Sequence, residues 1–286
     1  EIPRGSYTPV VREREPVEMV ESPSPAPAAA PASRSRGIVI GLALVAATAV
    51  SWAGWLWREN RMLRAGPPVP RTLINELLVV PGQRTILVAA DSSYFILKKL
   101  TGHEVSLQEY IDRSFQTRAR ATLRDPHMLA VLDHLEKAAH TGIAELNVFT
   151  RIIKQNPKAV SIDVRHAKDM ALRNFKQDNF VILGSAQANP WCGLFEDKAS
   201  FRTEYDPQDG KVVIRNRDPR PGEPALWRST GSDQYAHVAV VPNLSGSGRV
   251  LLSGATSMAA KEGGGDFITD PAVPDLLAKR FRVTDL

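Results

Sequence analysis

The chain has 286 residues, with 36 lysines and arginines against 31 aspartates and glutamates, and a formal net charge of +5 at pH 7. The basic residues alternate with acidic ones and form no stripe, which disfavours nucleic-acid binding by this chain itself. The single cysteine, Cys192, excludes an internal disulfide and any zinc site built on several cysteines. This length accommodates one or two ordinary domains.

Residues 1–36 lack the apolar periodicity of a folded domain. One short strand is expected at Tyr7 to Val11, and the stretch SPSPAPAAAPASRSR that follows consists mainly of proline, alanine and serine. Such a composition buries little apolar surface and favours an extended, semi-rigid linker. We therefore predict that residues 1–36 form the end of an upstream module followed by a disordered linker.

Residues 37–57, GIVIGLALVAATAVSWAGWLW, contain no charged side chain. A helix of this length spans roughly 30 Å, which is the thickness of the hydrocarbon core of a bilayer. Trp52, Trp55 and Trp57 gather at one end, as in an interfacial aromatic belt. A long polar stretch precedes the segment and no small-residue cleavage site follows it, which favours an anchor over a signal peptide. The sequence predicts a single span in contact with the lipid bilayer, then a juxtamembrane linker over residues 58–70.

From residue 71 onward the pattern changes to alternating strands and helices. Predicted strands cover residues 85–90, 159–164, 180–183, 199–205, 211–215, 234–241, 249–254 and 281–284. Predicted helices cover residues 92–100, 106–115, 128–135, 166–175 and 274–279, and the segment from Thr256 is helical at first. Turn-forming residues join two of the strand pairs into hairpins. Residues 71–286 are thus expected to form a mixed-sheet α/β domain, for which we favour a two-lobed, periplasmic-binding-like architecture.

Polar side chains follow two of the predicted buried strands. In open α/β folds, ligands bind outside the carboxyl ends of the strands, and the N-termini of the following helices suit anions. The alternative is that these side chains cap helices and bind no ligand. The candidate ligand-binding residues are Asp91, Ser92, Ser93, Ser185, Gln187 and Asn189.

Evidence for catalysis in the sequence is weak. The patterns GxSxG, HExxH, Walker A and GxGxxG are absent. Ser185 follows a strand and Gly184, as in a nucleophile elbow, but the second glycine of that motif is missing. The six histidines are dispersed, so no metal site and no cofactor are predicted. We expect no enzymatic activity, and a hydrolase that uses Ser185 or Cys192 is the least favoured alternative.

Four stretches resemble one family of bacterial proteins: EIPRGSYTPVVRE, VSLQEYIDRSF, DNFVILGSAQANPWCGLFED and YAHVAVVPNLSGSGRVLLSGATSMAAKEGGGDF. The family, found notably in acidobacteria, comprises membrane-anchored, helix-turn-helix or transcriptional-regulator-like proteins with a C-terminal α/β domain of no assigned activity. The resemblance implies a cytoplasmic regulatory module before the linker, a span of the inner membrane and an extracytoplasmic sensing domain. The lysine and arginine count weakly favours the opposite orientation, but both flanks are basic and the difference is small.

The expected function is therefore that of a single-pass membrane protein whose α/β domain senses a small ligand or a protein partner. The signal would pass to a cytoplasmic regulatory module outside this chain. The alternative is a membrane-anchored structural or protein-interaction domain that has no small-molecule site.

Overall fold

The computed structural model describes residues 34–65, 68–157 and 161–281. The strand expected at Tyr7 to Val11 and the proline-rich linker as far as residue 33 lie outside these residues, as does all but the first residue of the strand expected at 281–284. The last three residues of the predicted linker, 34–36, belong to the first helix. The chain divides after Ala65 into two compact units.

The first unit contributes a single long helix, α1, at Arg34–Ala65. Its segment Val39–Met62 has a mean hydropathy of 1.9 and none of it is buried by protein. It is the one helix among the described residues that is long and apolar enough to cross a membrane, although a signal sequence shares these properties. The helix continues beyond the predicted span, because WRENRMLRA contains no residue that breaks a helix before Gly66 and Pro67.

The second unit is a mixed α/β domain. Its strands in chain order are β1 Thr85–Ala89, β2 Ile162–His166, β3 Asn179–Leu183, β4 Phe201–Asp206, β5 Lys211–Asn216, β6 Leu226–Arg228, β7 Ala236–Pro242 and β8 Arg249–Ala255. Its α-helices are α2 Leu73–Leu77, α3 Ser92–Thr101, α4 Leu107–Asp112, α5 Ser114–Thr122, α6 Pro126–Lys137, α7 Ile143–Gln155, α8 Met258–Thr269 and α9 Val273–Phe281. Both predicted hairpins are confirmed, as β4–β5 and β7–β8.

The larger sheet has five strands in the order β2-β1-β3-β8-β7. Strands β1, β2, β3 and β8 run parallel, and β7 is antiparallel to β8. The second sheet is small and antiparallel, with the order β4-β5-β6. A mixed-sheet α/β domain is therefore confirmed, whereas a two-lobed, periplasmic-binding-like architecture stays a prediction.

The central strands are buried on both faces, which explains why they are apolar throughout rather than alternating. Ile86 and Val88 of β1 face a core layer that includes Tyr94 of α3 and Trp191. Leu87, between them, faces the opposite layer. That layer is completed by residues of α7, α8 and the neighbouring strands, including Val148, Phe149, Val181, Leu183 and Ile268.

Helix boundaries follow local capping chemistry. Ser106 and Glu109 form the capping box of α4, and Gly102 ends α3 in the left-handed conformation at φ 67°. The N-cap of α3 is Asp91, because its carboxylate accepts the Tyr94 N–H.

The prediction of one helix over residues 166–175 is wrong. The segment forms two short 3-10 helices, Ala167–Asp169 and Leu172–Lys176, separated by extended backbone at Met170 and Ala171. The spacing of apolar residues over ten positions is compatible with either helix type, and His166 is used to complete β2.

Candidate functional site

The two predicted polar clusters lie at neighbouring strand ends. Strands β1 and β3 are parallel and adjacent, with Val88 opposite Ile182 in the register. After β1 the chain continues to β2, which lies on the outer side of β1. After β3 it returns to this sheet at β7 and β8, which lie on the outer side of β3. The carboxyl ends of β1 and β3 are thus a topological switch point, where open α/β sheets bind ligands.

The polar side chains after β1 form hydrogen bonds within the domain. The buried Asp91 carboxylate accepts the Tyr94 N–H and the Tyr110 hydroxyl, each at 3.0 Å. Burial, and then the nearby Asp91 charge, raise the pKa of Tyr110 far above its ordinary value, so its proton stays on the oxygen. Ser93 Oγ is hydrogen-bonded to His140 Nδ1 at 2.9 Å, and the Ser92 N–H donates to the His140 carbonyl. These contacts position α3 against the residues before α7.

The loop after β3 is also engaged internally. The Ser185 carbonyl accepts the N–H groups of Ala188 and Asn189 at 3.0 and 2.8 Å. Asn189 stands at the predicted N-cap position, but its side chain makes no capping bond and turns to the Val88 carbonyl at 3.4 Å. Its buried Oδ1 has no hydrogen-bond partner among the described residues.

The two loops are closed against one another. The Asp91 N–H donates to the Ala188 carbonyl at 2.7 Å, which leaves no open crevice at that point. Asp91 lines a cavity of about 170 Å³ together with Tyr110, Arg113 and Lys168. Gln187 lines a separate groove of about 760 Å³, and neither space includes Ser92, Ser185 or Asn189. The six predicted residues are neighbours, but they do not share one cavity.

The 760 Å³ groove runs between α3 and β4, with the loop after β3 as part of its wall. We call it the α3–β4 groove. It is lined by Phe95, Lys98, Lys99, Gly102, Glu104, Ala186, Gln187, Glu196, Arg202, Thr203, Glu204, Tyr205 and Pro207. Its lining combines two aromatic rings with side chains of both charges.

Lys98 links α3 to the loop after β3. Its ammonium group is buried and donates to Glu104 Oε2 at 2.6 Å and to Gln187 Oε1 at 2.8 Å. On the opposite wall, Arg202 is paired with Glu204 at 2.6 Å. Lys99 of α3 reaches this wall, where its ammonium nitrogen lies 3.3 Å from the centroid of the Tyr205 ring, so this contact joins the two sides of the groove.

Glu196 is the titratable group of special interest here. Burial raises its pKa to about 7, against the opposing effects of the Arg202 charge and the Ala186 N–H. A carboxyl group with this pKa exists in both protonation states near neutral pH. It can accept or donate a proton at the loop that carries Gln187.

A buried ion pair lies behind the loop. Lys261 Nζ of α8 is 2.6 Å from Glu145 Oε1 of α7, and the side chains are 13% and 2% exposed. Glu145 also accepts the Thr141 hydroxyl at 2.6 Å. Gly184, at φ 106°, lies against this pair, since a Cβ there would be 3.6 Å from Lys261 Nζ and 3.7 Å from Glu145 Oε1. The pair therefore lies beside the turn from which the loop starts.

Sequence reasoning found Gln187 but missed Lys98, Glu196 and Arg202 in the groove and Glu145 with Lys261 behind it. One signal was present, because Arg202 and Glu204 alternate along β4 and so share a face. That alternation is typical of a strand, but it does not predict that β4 lies against α3.

The alternative nucleophiles have unfavourable surroundings. Cys192 is buried, and burial raises the pKa of its thiol well above the ordinary value, which keeps it protonated and unreactive. Within the described ranges, Ser185 Oγ has no hydrogen bond to a histidine. The same residues contain no group of three or more histidine, cysteine, aspartate or glutamate side chains placed to hold a metal.

No protein-family model, curated protein or solved structure matches the chain. The class of protein is therefore defined by its fold, as a chain with one candidate membrane-spanning helix and a mixed-sheet α/β domain. The family to which the sequence shows a resemblance stays a prediction.

Proposed function

We propose that this chain is a single-pass protein of the bacterial inner membrane whose α/β domain is a sensor. The domain binds a small, polar, ionisable ligand in the α3–β4 groove. The observation that carries this proposal is the groove itself, because about 760 Å³ falls within the range of roughly 300–1,000 Å³ typical of ligand sites. It also adjoins the loop after β3, at the topological switch point of the sheet.

The arrangement of the walls supports a sensing role. Helix α3 belongs to the layer on the large sheet, whereas β4 belongs to the small sheet. A ligand that contacts both walls stabilises one relative position of the two substructures, which is how binding biases a conformational equilibrium. Glu196 and Lys98 lie where such a ligand would contact the loop between the walls.

The proposed ligand has both an ionised group and a flat apolar part. Phe95 and Tyr205 offer ring surfaces, and Lys99 is held over Tyr205 rather than in an ion pair. An anionic group of the ligand pairs with Lys99, and a hydrogen-bonding group meets Glu196. Binding then passes a signal to a cytoplasmic regulatory module that precedes this chain, with the α/β domain on the extracytoplasmic side.

A thermal-shift screen of the full chain in detergent micelles tests the groove, using amino acids, dicarboxylates, nucleotides and sugars as probes. Lys99→Ala and Glu196→Gln should weaken any stabilising compound by about tenfold, or ~1.4 kcal/mol. The matched controls are Lys154→Ala, at an exposed position of α7, and Glu262→Gln, which preserves the acceptor for Asn147. A compound that binds both groove variants as tightly as the parent chain contradicts the proposed site.

The orientation is tested separately in intact cells. Single cysteines at Ser33 and Gly66 are treated with a membrane-impermeant maleimide, and the buried Cys192 contributes little background. Labelling of the Gly66→Cys variant alone supports an extracytoplasmic α/β domain. Labelling of the Ser33→Cys variant alone places that domain in the cytoplasm and removes the proposed signalling direction.

The second candidate function is a structural or protein-interaction domain without a small-molecule site. It is favoured by the hydrogen bond from Asp91 to Ala188, which closes the crevice at the switch point. If no probe shifts the melting temperature while the folded chain captures a specific protein from membranes, this second function is preferred.

A further inference from the structure

Strand β7 is an edge of the large sheet without the usual protection. Among the described strands it pairs with β8 alone, and its sequence AHVAVVP contains no lysine, arginine or acid. Edge strands in soluble proteins are normally guarded by charges, bulges or covering segments, because their free main-chain groups pair readily with another strand. Pro242 stands at the very end of the strand, and the small sheet contacts β7 through the hydrogen bond between Thr203 Oγ1 of β4 and the His237 side chain, which projects from a face of the strand.

The hydrogen bonds between β7 and β8 show which main-chain groups of β7 point away from β8. Thr256 donates to the Tyr235 carbonyl at 2.9 Å, and Asn243 donates to the Gly248 carbonyl at 2.8 Å, at the two ends of the β7–β8 pair. Hydrogen-bonded residues alternate along an antiparallel strand. The N–H and C=O groups of the alternate residues therefore point away from β8, and these residues are Ala236, Val238 and Val240.

A hollow accompanies this edge on the α8 side of the sheet. It measures about 640 Å³ and lies between β7 and α8. Ala259, Gly263 and Phe267 of α8 line it at spacings of four residues, which places them on one face of the helix. Phe267 is 37% exposed, so a large apolar ring stands beside a surface of small side chains. We call this surface the α8 hollow.

We propose that β7 pairs with β7 of a second copy of this chain, so that the large sheets join into one continuous sheet. The pairing is antiparallel about a two-fold axis, and Ala236, Val238 and Val240 of each copy exchange main-chain hydrogen bonds with those of the other. The α8 helices come side by side, and Phe267 of each copy covers the small residues of the α8 hollow. This isologous interface requires no third component.

The surface formed by β7 and the α8 hollow fits a second copy of the chain, because it carries both the apolar ring and the hollow that receives it. The strand is uncharged, so it has no electrostatic basis for selecting a charged partner. The ring and the hollow that it fills are on the same chain, and a two-fold axis brings each to the other. The seven residues of β7 extend about 24 Å. Together with the adjoining helix, the surface that each copy would bury is on the order of 500 Å².

A patch of this size is smaller than the standard interface of about 800 Å² per partner. The association is therefore reversible and weak in dilute solution. Restriction of both copies to one membrane raises their effective concentration, which favours the pair without any further contact. The inference concerns a different surface from the α3–β4 groove and does not depend on ligand binding there.

Cross-linking of the full chain in native membranes tests this interface. Val240→Cys on β7 is compared with Val164→Cys on β2, the other edge of the same sheet. The parent side chains are alike, at 38% and 43% exposure, and the natural Cys192 is buried. A bis-maleimide should produce a dimer band with V240C and only monomer with V164C.

A second substitution shows whether the α8 hollow takes part. Ala259→Arg fills the hollow from an exposed helix position, and in the V240C background it should remove the dimer band. Its melting temperature is measured to establish that the domain remains folded. Monomer alone with V240C, equal dimer bands with V164C, or an unchanged band with A259R would each overturn the proposed interface.

Discussion

Replacement of Lys261 by methionine tests whether the buried ion pair behind the β3 loop stabilises the domain. Methionine retains the unbranched apolar stem and removes the charge that faces Glu145. The Glu145 carboxylate is 2% exposed, so water cannot replace the lost partner. Breaking a buried pair in this way costs about 3–5 kcal/mol.

The structure places the expected value near the lower end of that range. Glu145 keeps the Thr141 hydroxyl at 2.6 Å and the Ala90 N–H at 3.3 Å, and these donors still solvate its charge. A loss of about 3 kcal/mol corresponds to a decrease of roughly 6–12 °C in the melting temperature of a domain of this size. The double variant Glu145→Gln/Lys261→Met should recover most of the loss, since the glutamine is neutral and still accepts both hydrogen bonds.

Thermal unfolding of the full chain in detergent micelles, followed by near-ultraviolet circular dichroism, measures these differences. The matched control is Arg120→Met, which breaks two surface ion pairs, with Asp133 and with Glu136; the three side chains are 46%, 50% and 20% exposed. An exposed pair of this kind contributes about 0–1 kcal/mol. If Lys261→Met costs no more than Arg120→Met, the buried pair does not have the energetic role assigned to it.

Further predictions concern the same loop. Because burial raises the folded-state pKa of Glu196 to about 7, above its ordinary value, the stability of the parent chain relative to Glu196→Gln should fall as pH rises from 5 to 8. A constant difference in melting temperature over that range would contradict the buried environment. Gly184→Ala should cost about 1–3 kcal/mol, because φ 106° strains any side chain, whereas Gly193→Ala, with open space around it, should cost less. Cys192 should react with a maleimide only after denaturation, and rapid labelling of the folded chain would show an accessible thiol.

The strands predicted from uniform apolar runs are correct because burial on both sheet faces is visible in local composition. Residues 85–90 and 180–183 form the central strands β1 and β3, nearly as expected. The caps at Ser106 and Gly102 are also local, since a side chain bonds to a backbone group a few residues away. The segment 166–175 was misassigned because apolar spacing alone does not separate a helix from 3-10 turns.

The candidate site depends on contacts that no local pattern contains. Strand order brings Asp91 and Asn189 to neighbouring strand ends, and the sequence predicts that both ends are polar. It does not predict that the Asp91 N–H meets Ala188 and closes the space between them. A single backbone hydrogen bond decides whether the loops after β1 and β3 leave a crevice between them, and the sequence does not predict that bond.

An apolar span, buried strands, hairpins and helix caps follow from patterns within about ten residues, because hydrophobic periodicity and capping act at that distance. The packing of distant segments sets the rest. It joins Lys98 of α3 to Gln187 in the loop after β3, pairs Glu145 with Lys261, and buries Glu196 so that its pKa rises to about 7. The raised pKa arises from desolvation, and the ion pair arises because folding brings distant charges together. Neither effect exists in the unfolded chain.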